Sequence, residues 1–353
     1  MRRNPLISII VPCRNEDETI GPCLASIARF RLNGKRAEIL IIDGMSEDNT
    51  VSVIREWMKK DRRIHLYTNP RKTVAPALNI GIQHARGDYI MRLDAHSEYP
   101  PDYLNVCMET ARRTGADNVG GIVIARIRGK TFQEKLVRSI TTHWFGVGNS
   151  EFRTGGKAGS VDTVPFGFFR KDIFDEVGLF DERLIRNQDY EMNRRIRQAG
   201  GSVIMNPLIH VYYQNQPNLS GLFRQAWHTG KWNPLTWYTA PYAFSMRHAV
   251  PGLFAVYLGL LGLAGFRSFF FIPCMLVFLL YLFLDIYAAV VQSRKYGYAQ
   301  FFILPLLFFL YHVCYGLGTL AGCILIMTGT SVVQKIPEPW PGAGRYRAWP
   351  VKQ

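Results

Sequence analysis

Apolar residues in the first hundred positions fall into two alternating patterns, short unbroken runs and helical spacing. Unbroken runs rich in Ile and Val predict strands covered on both faces. The runs are Leu6–Pro12, Ala37–Ile42, Ile64–Thr68 and Gly87–Leu93. Helical spacing lies between and after them, at Thr19–Phe30, 49–59, Val74–Ala85 and Pro101–Thr114. Strands that alternate with helices predict an α/β fold with a mostly parallel sheet and helices on both faces.

The next hundred residues continue this pattern less regularly. Strand-like runs are Asn118–Ile127, Val161–Phe169 and Ser202–Asn206, and shorter helices are predicted at Arg170–Val177 and Asn187–Ala199. The last helix has an acidic first turn, a basic later half and Gly200 as its stop, which suits the helix dipole and C-terminal capping.

The remainder of the chain is typical of a membrane protein. Leu219–Lys231 is amphipathic and is followed by further aromatic residues, which predicts an interfacial segment over 216–248. Three apolar stretches follow at 249–265, 269–291 and 301–328, each close to the roughly 20 residues that a bilayer requires. The third is either a full span or a re-entrant segment. We therefore predict an α/β domain over 1–215, membrane helices over 249–330 and a tail over 331–353.

Charge and cysteine content narrow the class of protein. The net charge of +15 favours phosphorylated ligands or an anionic membrane surface. No arginine-aromatic interleaving or zinc-finger spacing indicates a nucleic-acid partner. The six cysteines form no Cys-x-x-Cys pair, which favours a reduced, cytosolic domain over a disulfide framework.

Polar residues follow three of the predicted strands where each one ends: Pro12–Glu16, Asp43 and Asp94. Ligands of open α/β sheets bind beyond the carboxyl ends of the strands. Asp94 and His96 are two residues apart, so on an extended backbone their side chains would point to the same side. A carboxylate beside an imidazole is a plausible pair of ligands for a divalent cation.

Seven motifs in chain order resemble those of a known family. They are VPCRNE at Val11–Glu16, IIDGMSEDNT at Ile41–Thr50, LNIGI at Leu78–Ile82, RLDAHSEYPPDY at Arg92–Tyr103, NVGG at Asn118–Gly121, VDTVPFG at Val161–Gly167 and FDERLIRNQDYEMNRRIRQAGG at Phe180–Gly201. The chain resembles the inverting family-2 glycosyltransferases of the GT-A fold, and among them the ExoA-like succinoglycan-type glucosyltransferases. This resemblance implies a GT-A catalytic domain followed by an interfacial helix and transmembrane helices.

The resemblance also implies the donor site. Asp94 and His96 would hold Mn²⁺ or Mg²⁺ on the donor diphosphate, with His96 at the second position of the family's Asp-x-Asp motif. Asp43 would accept a hydrogen bond from the uracil N–H, although an Asp-Gly turn would also account for it. Pro12, Arg14 and Glu16 would line the same nucleotide pocket, with Arg14 alternatively paired to Glu16.

The same family places its catalytic base at the start of the Asn187–Ala199 helix. Asp189 fits that position, and Glu191 is the competing carboxylate. Further residues are candidates for contact with a diphosphate or the acceptor: Arg186, Gln188, Arg224, Gln225 and Trp232. For the basic ones, attraction to anionic lipid headgroups is the alternative.

The expected function is transfer of a hexose, glucose from a UDP-glucose donor, to a polyprenyl-diphosphate-linked saccharide acceptor. The protein would be multi-pass in the cell (inner) membrane, among membrane lipids, with its catalytic domain cytosolic. One alternative is a processive polysaccharide synthase, although the Gln-x-x-Arg-Trp motif of such enzymes is not found. The other is a non-catalytic scaffold of a glycan-export complex.

Overall fold

The chain folds into two compact units in this computed structural model, which describes residues 6–126, 131–148, 150–214, 216, 218–264 and 271–330. The first unit contains the described residues up to Ile124 and Gly155–Tyr213. The second contains those of Ala125–Thr154 and those from Gln214 onward. The sequence placed one boundary near residue 215 and gave no sign that Ala125–Thr154 leaves the first unit. The predicted tail, 331–353, lies outside the described residues.

The first unit is an α/β domain. Its strands are β1 Leu6–Cys13, β2 Arg36–Asp43, β3 Ile64–Thr68, β4 Tyr89–Arg92, β5 Ser97–Glu98, β6 Asn118–Arg126, β7 Gly159–Ser160, β8 Phe168–Arg170 and β9 Val203–Gln214. Its helices are α1 Ile20–Ala28, α2 Thr50–Lys60, α3 Val74–His84, α4 Tyr103–Thr114, α8 Ile173–Val177 and α9 Gln188–Gln198.

The nine strands found in the described ranges belong to one mixed sheet. The order is β3-β2-β1-β4-β8-β6-β9-β5, and β7 also pairs with β9. The first four strands run parallel, and β8 then pairs antiparallel with both β4 and β6. The register sets Cys13 beside Asp43, so β1 and β2 end together. The sheet therefore brings the predicted polar clusters to one edge.

Two strand predictions differ from the structure. Val161–Phe169 was expected to be a strand, but only Phe168–Arg170 pairs in the sheet. Pro165 has no N–H to donate, and Phe166 has a left-handed backbone with φ of 51°, so neither residue suits a ladder. The strand expected at Ser202–Asn206 instead runs on to Gln214; β9 lies beside β6 in the sheet, and β7 and β5 pair with its first and second halves.

The second unit is helical. Its helices are α5 Phe132–Thr141, α6 Trp144–Val147, α7 Glu151–Thr154, α10 Leu219–Thr239, α11 Met246–Ala264, α12 Phe271–Tyr296 and α13 Leu304–Met327. By length and composition, α11, α12 and α13 are long and apolar enough to cross a membrane. Helix α5 was not predicted. It begins with a capping box in which the Thr131 side chain accepts from the Glu134 N–H.

Helix α13 is continuous over Leu304–Met327, although Pro305, Gly316 and Gly318 in the sequence would be compatible with a re-entrant segment. Instead of breaking the helix, the glycines let neighbouring backbones approach it closely. A Cβ on Gly318 would collide with the Trp227 carbonyl oxygen, and one on Gly322 with the Lys231 carbonyl oxygen. Small residues four apart are a common means of close helix packing in membranes. Helix α10 therefore packs along α13, and the Asn233 amide donates to the Tyr315 hydroxyl (2.9 Å).

Candidate active site

A buried arginine lies at the centre of the candidate site. Arg92 is the last residue of β4, and only 6% of its side chain is exposed. One guanidinium nitrogen donates to Asp94 Oδ1 (3.1 Å), and the other donates to Asp189 Oδ1. The guanidinium also lies 5.9 Å from the centre of the Phe166 ring. Arg92 thus joins the carboxylate of the predicted metal motif to the predicted base, which lies 97 residues further along the chain.

The sequence suggested that Asp94 and His96 lie on an extended strand, but they do not. Strand β4 ends at Arg92, and Asp94–Ser97 forms a turn in which the Ser97 N–H donates to the Asp94 carbonyl oxygen (3.2 Å). The Tyr99 hydroxyl supports this turn by donating to one backbone group of Asp94, its carbonyl oxygen (3.3 Å), and accepting from the other, its N–H (2.8 Å). The two side chains are therefore positioned by a turn, not by strand alternation.

Glu16 holds the ring of His96. Glu16 Oε1 lies 3.2 Å from His96 Nδ1, and Glu16 Oε2 accepts from the Thr19 hydroxyl (2.5 Å). Burial lowers the pKa of His96, but the hydrogen bond to Glu16 and the charges of Asp94 and Glu16 outweigh it, so the pKa lies above its usual value. Both carboxylate oxygens of Glu16 are thus in use, although the sequence suggested that Glu16 lines the nucleotide pocket.

Asp43 lies at the end of β2 and is 5% exposed. Its carboxylate accepts from the Ser46 hydroxyl (2.6 Å) and from the Ser46 N–H (3.1 Å), so the turn that was the alternative explanation is present. Ser46 in turn accepts from the Asn15 N–H (2.9 Å). These bonds join the loop after β2 to the loop after β1, which places Asp43 and the Pro12–Glu16 segment at the same edge of the sheet.

Arg14 pairs with Glu47 at 3.7 Å in the same loops. The expected alternative, a pair with Glu16, is not found among the described contacts.

The start of α9 separates the two candidate bases. Asp189 is the second residue of the helix, and 29% of its side chain is exposed, so a substrate can reach it. Glu191 is fully buried and makes two hydrogen bonds to Arg195, at 2.5 and 2.8 Å. Arg195 also donates to the carbonyl oxygens of Val177 and Leu179. Glu191 therefore stabilises the domain, and Asp189 is the better candidate for the base.

The remaining candidates differ in exposure. Arg186 is exposed by surface area, yet enough protein surrounds its guanidinium that burial lowers its pKa. Within the described part of the chain Arg186 has no ion pair or hydrogen bond, so it is available to an anion. Gln188 is 8% exposed. In the second unit, Arg224 is exposed and Gln225 half-buried on α10, whereas Trp232 is only 6% exposed, which favours packing over ligand contact.

Asp94 and His96 are the candidate ligands for a divalent cation. Asp94 Oδ2 and His96 Nε2 have no hydrogen bond to any residue that the structure describes, and both side chains are partly exposed (19% and 35%). No group of three or more His, Cys, Asp and Glu residues in the described ranges could hold a metal by itself. Two protein ligands suit a cation that completes its shell with substrate phosphate oxygens and water. When bound, it would offset the charge that develops on a leaving diphosphate.

Comparison with known proteins decides the family. The sequence profile named Glycosyl transferase family 2 matches residues 8–178. The succinoglycan biosynthesis protein ExoA of Rhizobium meliloti is 30% identical over 247 residues, which is 69% of this chain and 72% of that protein. The chain belongs to glycosyl transferase family 2. The predicted family and enzyme class are confirmed: the protein is a glycosyltransferase.

One further relative and one solved structure match this family-2 glycosyltransferase over most of its length. The dolichyl N-acetyl-alpha-D-glucosaminyl phosphate 3-beta-D-2,3-diacetamido-2,3-dideoxy-beta-D-glucuronosyltransferase of Methanococcus voltae is 28% identical over 329 residues, 90% of this chain and 97% of that protein. The mannosyltransferase PcManGT of Pyrobaculum calidifontis, solved with GDP-Man and Mn²⁺, superposes with a TM-score of 0.59 at 17% identity, covering 90% of this chain and 88% of that one. The second match shows the fold alone, and the predicted GT-A fold is confirmed.

Proposed function

We propose that this glycosyltransferase transfers one hexose, glucose from UDP-glucose, to a polyprenyl-diphosphate-linked saccharide, with inversion at the anomeric carbon. Three observations support the proposal. The chain is similar to ExoA, and it is also similar over most of its length to the Methanococcus voltae enzyme, whose name includes a dolichyl sugar phosphate. The third observation is that three helices are long enough to span a bilayer. The single observation that carries the chemistry is the Arg92 guanidinium, which holds Asp94 and Asp189 together.

Asp189 is the proposed base. A carboxylate that accepts the proton of the acceptor hydroxyl allows its oxygen to attack the anomeric carbon. The bond from that carbon to the diphosphate oxygen breaks on the opposite face, and the electron pair leaves with UDP. The partial exposure of Asp189 gives the acceptor access, and its contact with Arg92 sets its orientation.

The donor would lie along the edge of the sheet that carries Asp94 and Asp43. Asp94 and His96 would bind the metal on the diphosphate, and Asp43, Pro12 and Arg14 would contact the nucleotide. Arg186 is a candidate for a phosphate contact. The shape of a guanidinium matches phosphate oxygens, and that of Arg186 has no hydrogen bond or ion pair with any described residue. Arg224 and Gln225 remain predicted acceptor contacts, whereas the burial of Trp232 favours a packing role.

The location is part of the proposal. We place α11, α12 and α13 in the cell (inner) membrane and the sheet domain on its cytosolic side. The six cysteines, all free thiols in the structure, agree with a reduced compartment.

Sugar transfer into extracted lipid tests the proposal. Membranes that contain the enzyme receive a panel of labelled UDP- and GDP-sugars, with and without EDTA. We expect label from UDP-glucose in the lipid fraction and loss of transfer under chelation. Transfer that persists in EDTA would remove the metal step, and label from another sugar alone would overturn the donor. A long polymer formed without a lipid-linked primer would favour the processive synthase.

Asp189→Asn tests the base. We expect turnover to fall by about 10² to 10⁴, while UDP still binds in the presence of Mn²⁺. Asp172→Asn is the matched control, because Asp172 is an exposed aspartate (65%) that pairs with Arg170 outside the site. Full turnover by Asp189→Asn would refute the assignment. Absence of UDP binding by the unaltered protein would instead favour the scaffold alternative.

A further inference from the structure

The carboxylate of Glu16 contacts His96, which a role in the nucleotide pocket does not explain. We infer that Glu16 is a positioning residue that fixes the ring of His96, so that Nε2 of His96 is presented to the divalent cation. This inference rests on the proposed function, because it gives the metal site of that function a supporting residue on a different loop.

The hydrogen-bond chemistry determines which nitrogen of His96 is free. An ionised carboxylate only accepts hydrogen bonds, so at 3.2 Å from Glu16 Oε1 the Nδ1 atom must carry the hydrogen. In the neutral ring the lone pair is then on Nε2, the nitrogen without a partner among the described residues. Metal-binding histidines commonly donate their other N–H to a carboxylate, which fixes the ring and strengthens it as a ligand.

The carboxylate of Glu16 is itself held in place. Its other oxygen accepts from the Thr19 hydroxyl (2.5 Å), and its backbone N–H donates to the Thr50 hydroxyl (2.7 Å). The His96 ring also makes a T-shaped contact with the Tyr213 ring, with centroids 5.3 Å apart. The next residue, Ser97, pairs with Tyr213 in the sheet. The ring is therefore held by two contacts, with Glu16 and with Tyr213, that do not require a bound metal.

A purely structural role for the Glu16 side chain is less consistent with these contacts. The start of α1 is satisfied by the Glu16 backbone, whose carbonyl oxygen accepts from the N–H groups of Thr19 (3.0 Å) and Ile20 (2.8 Å). Those bonds do not depend on the side chain. Removal of the carboxylate should therefore affect metal affinity more than stability.

Mn²⁺ binding measured without turnover tests the inference. Free Mn²⁺ is followed by electron paramagnetic resonance as it is titrated into the purified full chain with UDP present. We expect Glu16→Ala to weaken Mn²⁺ binding by about 10- to 100-fold at a nearly unchanged melting temperature. Glu16→Gln should lose less, because its amide oxygen still accepts from Nδ1. Glu18→Gln, an exposed acid in the same loop, controls for the loss of one negative charge.

A double-mutant cycle with His96→Ala completes the test. If Glu16 acts through His96, Glu16→Ala adds little to the loss already caused by His96→Ala. Additive losses, or a Glu16→Ala protein that binds Mn²⁺ as the unaltered protein does, would overturn the inference and leave the metal site intact. No Mn²⁺ binding by the unaltered protein would overturn the metal role itself, together with this inference.

Discussion

Replacement of Arg92 is the sharpest test of the site, because one side chain contacts both carboxylates to which the mechanism assigns a role. Arg92→Gln removes the cation and leaves a shorter, uncharged polar side chain. We expect the fold to persist and kcat to fall, since Asp189 loses the contact that sets its orientation. The KM for the donor should rise less than kcat falls, because Asp94 retains its other supports from Tyr99.

The size of the effect follows from the geometry. Exposed fractions of 6%, 19% and 29% for the side chains of Arg92, Asp94 and Asp189 leave little water to replace the lost bonds. A hydrogen bond to a charged group contributes about 1.5–3 kcal/mol. At about 1.36 kcal/mol per factor of ten, loss of the bond to Asp189 in the transition state lowers kcat by about 10- to 160-fold. Arg92→Lys keeps the positive charge but cannot contact both carboxylates in the same geometry, so its kcat should lie between those of the unaltered enzyme and Arg92→Gln.

The assay is initial-rate release of UDP in the presence of acceptor membranes, with a melting temperature for each variant. Arg170→Gln is the matched control. Arg170 also contacts several carboxylates, but the register places it beside Tyr89, at the opposite end of β4 from Arg92. It should lose stability without a specific loss of kcat. A folded Arg92→Gln enzyme with kcat within about threefold of the unaltered enzyme would refute the reasoning, since so small a change is less than the loss of one hydrogen bond to a charged group would cause.

Two further predictions address the metal and the pH dependence of stability. His96→Asp restores the Asp-x-Asp form of the motif and should raise the ratio of activity in Mg²⁺ to that in Mn²⁺, because Mg²⁺ prefers oxygen ligands; an unchanged ratio would count against His96 as a ligand. For Glu38, burial would raise the pKa, but hydrogen bonds from Ser8 and from the backbone and side chain of Arg86 hold it below its usual value. A carboxyl group whose pKa is lower in the folded state stabilises the fold at any pH above its pKa in the unfolded state. That stabilisation is lost as the pH falls through its pKa in the folded state. Glu38→Gln should therefore melt lower than the unaltered protein at pH 7, with the difference closing below about pH 4; a difference that persists in acid would contradict this.

The sequence predicted the parallel half of the sheet well, because buried parallel strands are continuous apolar runs with few competing explanations. Strand β3 has its predicted bounds, Ile64–Thr68. The antiparallel half was harder, since β9 continues through Pro207 and its neighbours β6, β5 and β7 are distant in the sequence. Helix α5 was missed even though Thr131 and Glu134 carry the spacing of a capping box, a local signal that its irregular surroundings obscured.

For the site, the residue types indicated the chemistry but not the partner that joins them. Asp94 and Asp189 were chosen from motifs, and the structure places both on Arg92, which was not predicted. An arginine at the end of an apolar strand was the available signal, because a buried cation requires carboxylate partners. The distance along the chain made the identity of the second partner impossible to infer from spacing.

The segment Ala125–Thr154 has a practical consequence for anyone who wishes to prepare the sheet domain alone. Leu136, Val137 and Ile140 of α5 are buried in a core shared with α10, α12 and α13. A truncated protein that stops at Tyr213 would keep α5 but discard α10, α12 and α13, which share its apolar core, and this favours self-association in solution. A water-soluble version of the sheet domain would require removal of the apolar C-terminal helices. It would also require α5 to be shortened or its exposed apolar residues to be replaced by polar ones.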